Sequence, residues 1–146
     1  MYETILVPTD GSAGSELAVE HAVDIARRYD ATLHLVYVVD TDVVNHYAGI
    51  DAIEGVEGAL EAQGTEALDA AAERAEDGGI VAERHVVEGS PHEAIIDAVA
   101  MVGADLVVMG TERKSGEYRR LLGSVTERVV RMVDVPVHVV KAKTEE

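Results

Sequence analysis

The chain contains no cysteine, so neither a disulfide nor a thiolate metal centre is open to it. Phenylalanine and tryptophan are also absent, and lysine occurs only at positions 114, 141 and 143. No apolar run approaches the roughly 18 residues that a membrane span needs. The N-terminus opens on a strand-like segment rather than a basic region ahead of an apolar one, so export is not expected. Repeats, linkers and low-complexity segments are missing too. What remains is the profile of a soluble cytoplasmic protein, and its 146 residues predict one domain over positions 1–146.

Negative charge is what the chain has in excess. Asp and Glu total 28 against 12 Lys and Arg, a formal charge of -16. Such a chain repels itself at low ionic strength, whereas near 1 M salt the screening length falls to about 3 Å. The composition therefore predicts a halophilic cytoplasm. It also disfavours nonspecific nucleic-acid binding, because a polyphosphate backbone is repelled.

One stretch departs from this acidity. Between Gly110 and Arg131 there are six basic residues (Arg113, Lys114, Arg119, Arg120, Arg128, Arg131) and three acids (Glu112, Glu117, Glu127), leaving -19 for the rest of the chain. Gly123-Ser124 within it precedes a helical run. Backbone amides at a helix N-terminus with cations nearby are a physical means of holding phosphate, so an anion site, for a nucleotide, is expected here.

Apolar β-branched runs alternate with helical patterns along the chain. Strands are predicted at 4–7, 32–39, 80–88, 105–109 and 136–141. Helices are predicted at 15–29, with Leu17, Ala18, His21, Ala22, Ile25 and Ala26 on one stripe, and at 56–77, 91–102 and 124–133. Ser90-Pro91-His92-Glu93 and Ser124-Val125-Thr126-Glu127 both read as capping boxes. Residues 40–55, with Gly49 and Gly55, show no period and read as a loop. Near-continuous apolar strands between amphipathic helices imply a doubly wound α/β sandwich with a five-stranded parallel sheet. If the strand order is 3-2-1-4-5, the winding reverses between the first and fourth strands. Ligands bind at such reversals. The loops there are Pro8-Thr9-Asp10-Gly11-Ser12 and the positive stretch after Met109.

With ILVPTDGS at 5–12, VEGSPHEAI at 87–95, the segment 109–131 and VPVHVVK at 135–141, the whole chain resembles the universal stress protein family. That resemblance implies a Rossmann-like fold of the adenine nucleotide alpha hydrolase-like kind. It also implies an ATP- or AMP-binding regulatory module, with or without Mg²⁺, acting in stress response as a homodimer joined through the last strand. The ATP-binding members carry G-x2-G-x9-G-[ST]. Gly110 and Gly123-Ser124 fill its first and last positions, while Arg113 stands where the middle glycine falls. A guanidinium can fork onto phosphate oxygens, or it can fill the pocket.

The ligand contacts implied by the resemblance are Pro8, Thr9, Asp10, Val38, Met109, Gly110, Thr111, Arg113, Gly123, Ser124, Val125 and Thr126. Gly110 would let ribose and phosphates approach the fourth strand. Gly123 would let the chain turn so that the amides of Ser124 and Val125 face an anion. Asp10 would accept a ribose hydroxyl or support Mg²⁺; its alternative is a turn Asp bonded to its own backbone. Val38 would pack on adenine, or is plain core. His138 in the last strand would lie near the twofold interface.

Other classes are less well served. The chain has no P-loop, and Asp10-Gly11-Ser12-Ala13-Gly14-Ser15 does not match a pyrophosphate loop such as SGGxDS. No general base stands beside the phosphates unless Asp10 or Glu112 positions a water. The six histidines (21, 34, 46, 85, 92, 138) show no ligand-like spacing, and no metal site is expected. The alternatives to a nucleotide sensor are a nucleotide-free dimerisation protein and a slow ATPase.

Overall fold

The computed structural model describes residues 1–41, 50–111 and 123–141. In chain order its elements are β1 (Thr4–Pro8), α1 (Ala13–Tyr29), β2 (Thr32–Asp40), α2 (Ile50–Asp77), β3 (Glu83–Gly89), α3 (Pro91–Val102), β4 (Leu106–Gly110), α4 (Ser124–Met132) and β5 (Val137–Val140). The strands form one sheet in the order β3-β2-β1-β4-β5, and every neighbouring pair is parallel. This is the doubly wound arrangement that the alternation of apolar runs and amphipathic helices predicts.

Period-two alternation sends successive strand residues to opposite faces. Ile5, Val7, Leu33, Leu35, Leu106 and Val108 pack with α1 and α2. Leu6 and Val36 pack with Ala98 of α3, and Val107 and Met109 with Ile95 of α3 and Val129 of α4. Burying a Leu, Ile or Val side chain fully is worth about 1.5–3 kcal/mol. The central strands, with Ile5, Leu6 and Val7 all fully buried, therefore anchor the fold. Along α1 the buried stripe is small, with Ala18, Ala22 and Ala26 at zero exposure, so the helix lies close against the sheet.

Several local expectations need correction. Residues 50–55 were expected in a loop but belong to α2. Gly55 and Gly58 weaken a helix by about 1 kcal/mol each relative to Ala without ending it. Asp40 of that expected loop ends β2 instead, and residues 42–49 lie outside the described residues. β3 begins at Glu83 rather than residue 80, because the Ile80 amide donates back to Ala75 O at 2.8 Å and closes α2. Ser90 does cap α3 in an extended conformation, yet its side chain makes no capping bond. In α4 the cap is Gly123 and Ser124 is the first helical residue, so neither capping box forms as expected.

Candidate functional site

β1 and β4 lie side by side, with β2 and β5 on their outer flanks, so the chain leaves their carboxyl ends in opposite directions and opens a crevice between them. The loop leaving β1 is tightly built. Thr9 N donates to Val36 O at 2.8 Å, which prolongs the β1–β2 ladder by one residue. Gly11 then turns with φ +81°, a conformation that other residues rarely adopt. Asp10 Oδ1 accepts from Ser12 N at 2.9 Å, so the turn bond weighed as the alternative for Asp10 is present. Ser12 caps α1 by accepting from Ser15 N at 3.3 Å, and Ser15 Oγ donates to Ser12 O at 3.0 Å. Asp10 N donates to Ser15 Oγ at 3.3 Å.

β4 ends on Gly110, whose carbonyl accepts from Thr126 Oγ1 at 3.1 Å. That bond joins the end of β4 to the first turn of α4. A Cβ on Gly110 would collide with the Gly14 backbone and lie 3.0 Å from Ser15 N. The missing side chain thus admits the start of α1, a packing reason for glycine that stands beside the ligand approach expected of it. Gly123 caps α4 in an ordinary conformation. Its φ of -71° and ψ of 162° are open to any residue, so no glycine-only turn is made there.

A cavity of about 280 Å³ occupies the crevice, close to the roughly 300 Å³ at which small-molecule sites begin. Pro8, Thr9, Asp10 and Val38 line one side. Met109, Gly110, Thr111, Val125 and Thr126 line the other. The structure thereby gathers nine of the twelve residues singled out in the sequence. Gly123 and Ser124 stand next to Val125 but do not line the cavity, and Arg113, with half of the positive stretch (residues 112–122), lies outside the described residues.

The cavity also draws in residues that sequence reasoning missed: Ser12, Ser15, Val36, Tyr37, Asp40, Pro91 and Ile95. Pro91 and Ile95 arrive because α3 starts directly after β3, beside the end of β2. Their only signal was the helix start at Ser90-Pro91. Tyr37 alternates with Val36 and Val38 along β2, and its ring is seated against Gly64 of α2, where a Cβ would lie 2.7 Å from Cε2. Burial raises the Tyr37 phenol above its ordinary value and the Asp10 carboxylate raises it further. The phenol is a hydrogen-bond donor at every physiological pH.

The site is thus two-sided. Val36, Val38, Ile95, Met109 and Val125 give it an apolar lining, and Thr9, Asp10, Ser12, Ser15 and Tyr37 are among its polar lining residues. Among the described residues, no group of three His, Asp or Glu is placed to hold a metal ion. Four of the histidines nevertheless stand in pairs. His34 bonds to His85, and the rings of His21 and His138 stand 5.6 Å apart.

Known proteins share this architecture. Universal stress protein MJ0531 of Methanocaldococcus jannaschii is 40% identical over 150 residues, covering 100% of this chain and 86% of that protein. The solved structure of protein MJ0577 of the same organism superposes with a TM-score of 0.88 at 30% identity, covering 99% of both chains. A universal stress protein solved in complex with cAMP gives a TM-score of 0.73 at 32% identity, covering 95% of this chain and 97% of its own. The model of the universal stress protein family matches residues 1–141. On a match of that length, with the 3-2-1-4-5 sheet and the crevice at its reversal, the chain belongs to the universal stress protein family.

Proposed function

We propose that this chain is an adenine-nucleotide-binding regulatory module, with ATP or AMP in the cleft between β1 and β4. The observation that carries the reading is the cavity itself, whose lining combines apolar side chains with hydroxyl and carboxylate groups. Adenine would lie against Val38, Ile95 and Met109. Asp10 would accept from the sugar or, with a triphosphate, support Mg²⁺. Phosphates would sit by the first turn of α4, where Gly123 supplies no side-chain capping bond and leaves the early amides to another acceptor. The cAMP complex of a relative 32% identical to this chain supports an adenine nucleotide as the ligand class.

Regulation needs only a ligand that binds two states of the protein unequally. In this reading the protein is cytoplasmic and forms a homodimer through β5, an edge strand whose His138 is exposed. Binding would shift that dimer's conformation or its affinity for a downstream protein during stress. Arg113 would fork onto the phosphates in place of the missing glycine.

Calorimetric titration with ATP and AMP, with and without Mg²⁺ in molar KCl, tests the proposal. Saturable binding in the micromolar range is expected. Absence of binding to a folded protein would favour a nucleotide-free dimerisation role, for which the substitution at Arg113 is the motivating feature. Steady release of ADP would turn the reading toward an ATPase.

A further inference from the structure

We propose that Tyr37 sets the sugar specificity of the cleft: with Asp10 it reads a ribose hydroxyl, so the preferred ligands are ribonucleotides rather than deoxyribonucleotides. This inference rests on the reading of the cleft as an adenine-nucleotide site. It adds the residue that selects among such ligands.

Both groups are held in place from behind. Val36 pairs with Pro8 in the β1–β2 register and Thr9 N bonds to Val36 O, so Tyr37 follows directly beside the loop that carries Asp10. The Tyr37 ring rests in the space that Gly64 leaves open on α2, and any Cβ at position 64 would drive into it. Gly11 in the same loop abuts α2 as well, since a Cβ there would stand 3.4 Å from Ala67 Cβ. Asp10 is fixed by its Oδ1 bond from Ser12 N and by its own amide bond to Ser15 Oγ.

Each group keeps capacity for a ligand. A carboxylate offers about four acceptor positions; in Asp10, Oδ1 takes Ser12 N and Oδ2 has no hydrogen bond among the described residues. No hydrogen bond among the described residues engages the Tyr37 hydroxyl either. Among the described residues no buried side-chain oxygen lacks a partner, so the hydroxyl is reached by solvent, and Tyr37 lines the cavity.

The chemistry of the pair then selects the ligand part. A carboxylate only accepts and a phenol kept protonated donates, whereas a sugar hydroxyl does both. One hydroxyl can donate to Asp10 Oδ2 and accept from Tyr37 Oη. A phosphate could accept from the phenol, but it would meet the Asp10 charge at contact distance and be repelled. A deoxy sugar would leave donor and acceptor unmatched at that end, which lowers affinity.

The test is titration of the wild type and Tyr37→Phe with AMP, 2′-deoxy-AMP and 3′-deoxy-AMP. The wild type is expected to bind AMP about 10-fold or more tightly than at least one deoxy analogue, the loss of roughly one hydrogen bond to a charged or fixed polar group. Tyr37→Phe keeps the ring on Gly64. It should bind that analogue as the wild type does and lose most of the preference for AMP. Equal wild-type affinity for all three nucleotides would overturn the sugar reading alone, and this comparison requires no variant to fold. A preference undiminished in Tyr37→Phe would overturn the role of Tyr37. A folded wild type that binds none of them would overturn the nucleotide reading and this inference with it.

Discussion

His34 and His85 share a hydrogen bond between neighbouring strands: His34 Nδ1 stands 2.9 Å from His85 Nε2, and the rings stack at 5.2 Å with an interplanar angle of 22°. The other ring nitrogen of His34 lies 3.5 Å from Glu83 Oε2. Within the contact, one nitrogen donates and the other accepts, so the two rings cannot both be cationic without placing like charges together. Glu83 and His85 of β3 are the titratable groups acting on His34. From β1 it is paired with Leu6, and the cluster on that face of the sheet is Leu6, Val36, Ala98 and Ala104 with Val87, Val99 and Val102 around them.

That arrangement makes stability depend on acid. Burial lowers the His34 pKa below 6.5, Glu83 partly opposes this, and the His85 charge lowers it further. As pH falls, the unfolded chain takes up this proton before the folded one. The contribution is therefore whole above about pH 6.5 and is lost as pH falls through the lowered folded value. Urea melts from pH 8 to 5 should show stability falling below 6.5 by up to about 1.4 kcal/mol per pH unit for this one proton. His34→Val should flatten that part of the profile, and an unchanged slope in the variant would assign the pH dependence elsewhere.

Gly110 and Gly123 occupy the first and third glycine positions of one motif yet should fail in different ways. Gly110→Ala forces a methyl into the backbone of Gly14 and Ser15, where no flexible side chain can yield. A loss of about 3 kcal/mol is expected, at the upper end for overpacking. Gly123→Val adopts φ -71° and ψ 162° without strain, so it should fold near wild-type stability and lose nucleotide affinity by about 10-fold or more. Denaturant melts and calorimetry on both variants separate packing from binding; equal stability of the two would remove the distinction.

The sheet order and most of the cleft were legible because they rest on features that repeat along the chain. The apolar runs at 4–7, 32–39 and 105–109 and the helical spacing in 15–29 each encode an element, and topology then brings the loops after β1 and β4 together. What stayed illegible depends on contacts between distant segments. His34 and His85 are 51 positions apart, and only the β2–β3 register makes them neighbours. The packing of Gly110 against the start of α1 is likewise invisible until the fold is known. Gly64 carries no signal at all without Tyr37 to fill the space. The start of α2 at Ile50 was hidden by Gly49, Gly55 and the lack of a period, and the low helix propensity of Gly55 is outweighed by the length of the helix.

Gly64 and Tyr37 should therefore behave as a coupled pair. Gly64→Ala places its Cβ against the Tyr37 ring, so either the ring or α2 must shift, at a cost of about 1–3 kcal/mol. In a Tyr37→Leu background the methyl has room, and the same substitution should cost little, since Ala is the better helix former. The double-mutant cycle is expected to return a coupling of about 1–2 kcal/mol. Additive losses would mean that Gly64 is kept for a reason other than the ring.

Salt should stabilise this protein. Its 28 acidic residues outnumber 12 basic ones. The ion pairs in view, such as Arg28 with Asp24, Arg74 with Glu16 and Arg131 with Glu127, join exposed side chains. Exposed pairs of this kind contribute about 0–1 kcal/mol each, so screening them loses little. Repulsion among the surplus carboxylates acts over the whole surface, and raising salt from 0.1 M to 1 M shortens its reach from about 10 Å to 3 Å. The relief outweighs the loss. The thermal midpoint is expected to rise by about 5–10 °C between 0.1 and 2 M KCl, equivalent to roughly 2 kcal/mol for a domain of this size. NaCl should match KCl if screening is the cause. A midpoint that stays flat or falls would show that the acidic surface costs the fold nothing at low salt, and the halophilic reading of the composition would fail with it.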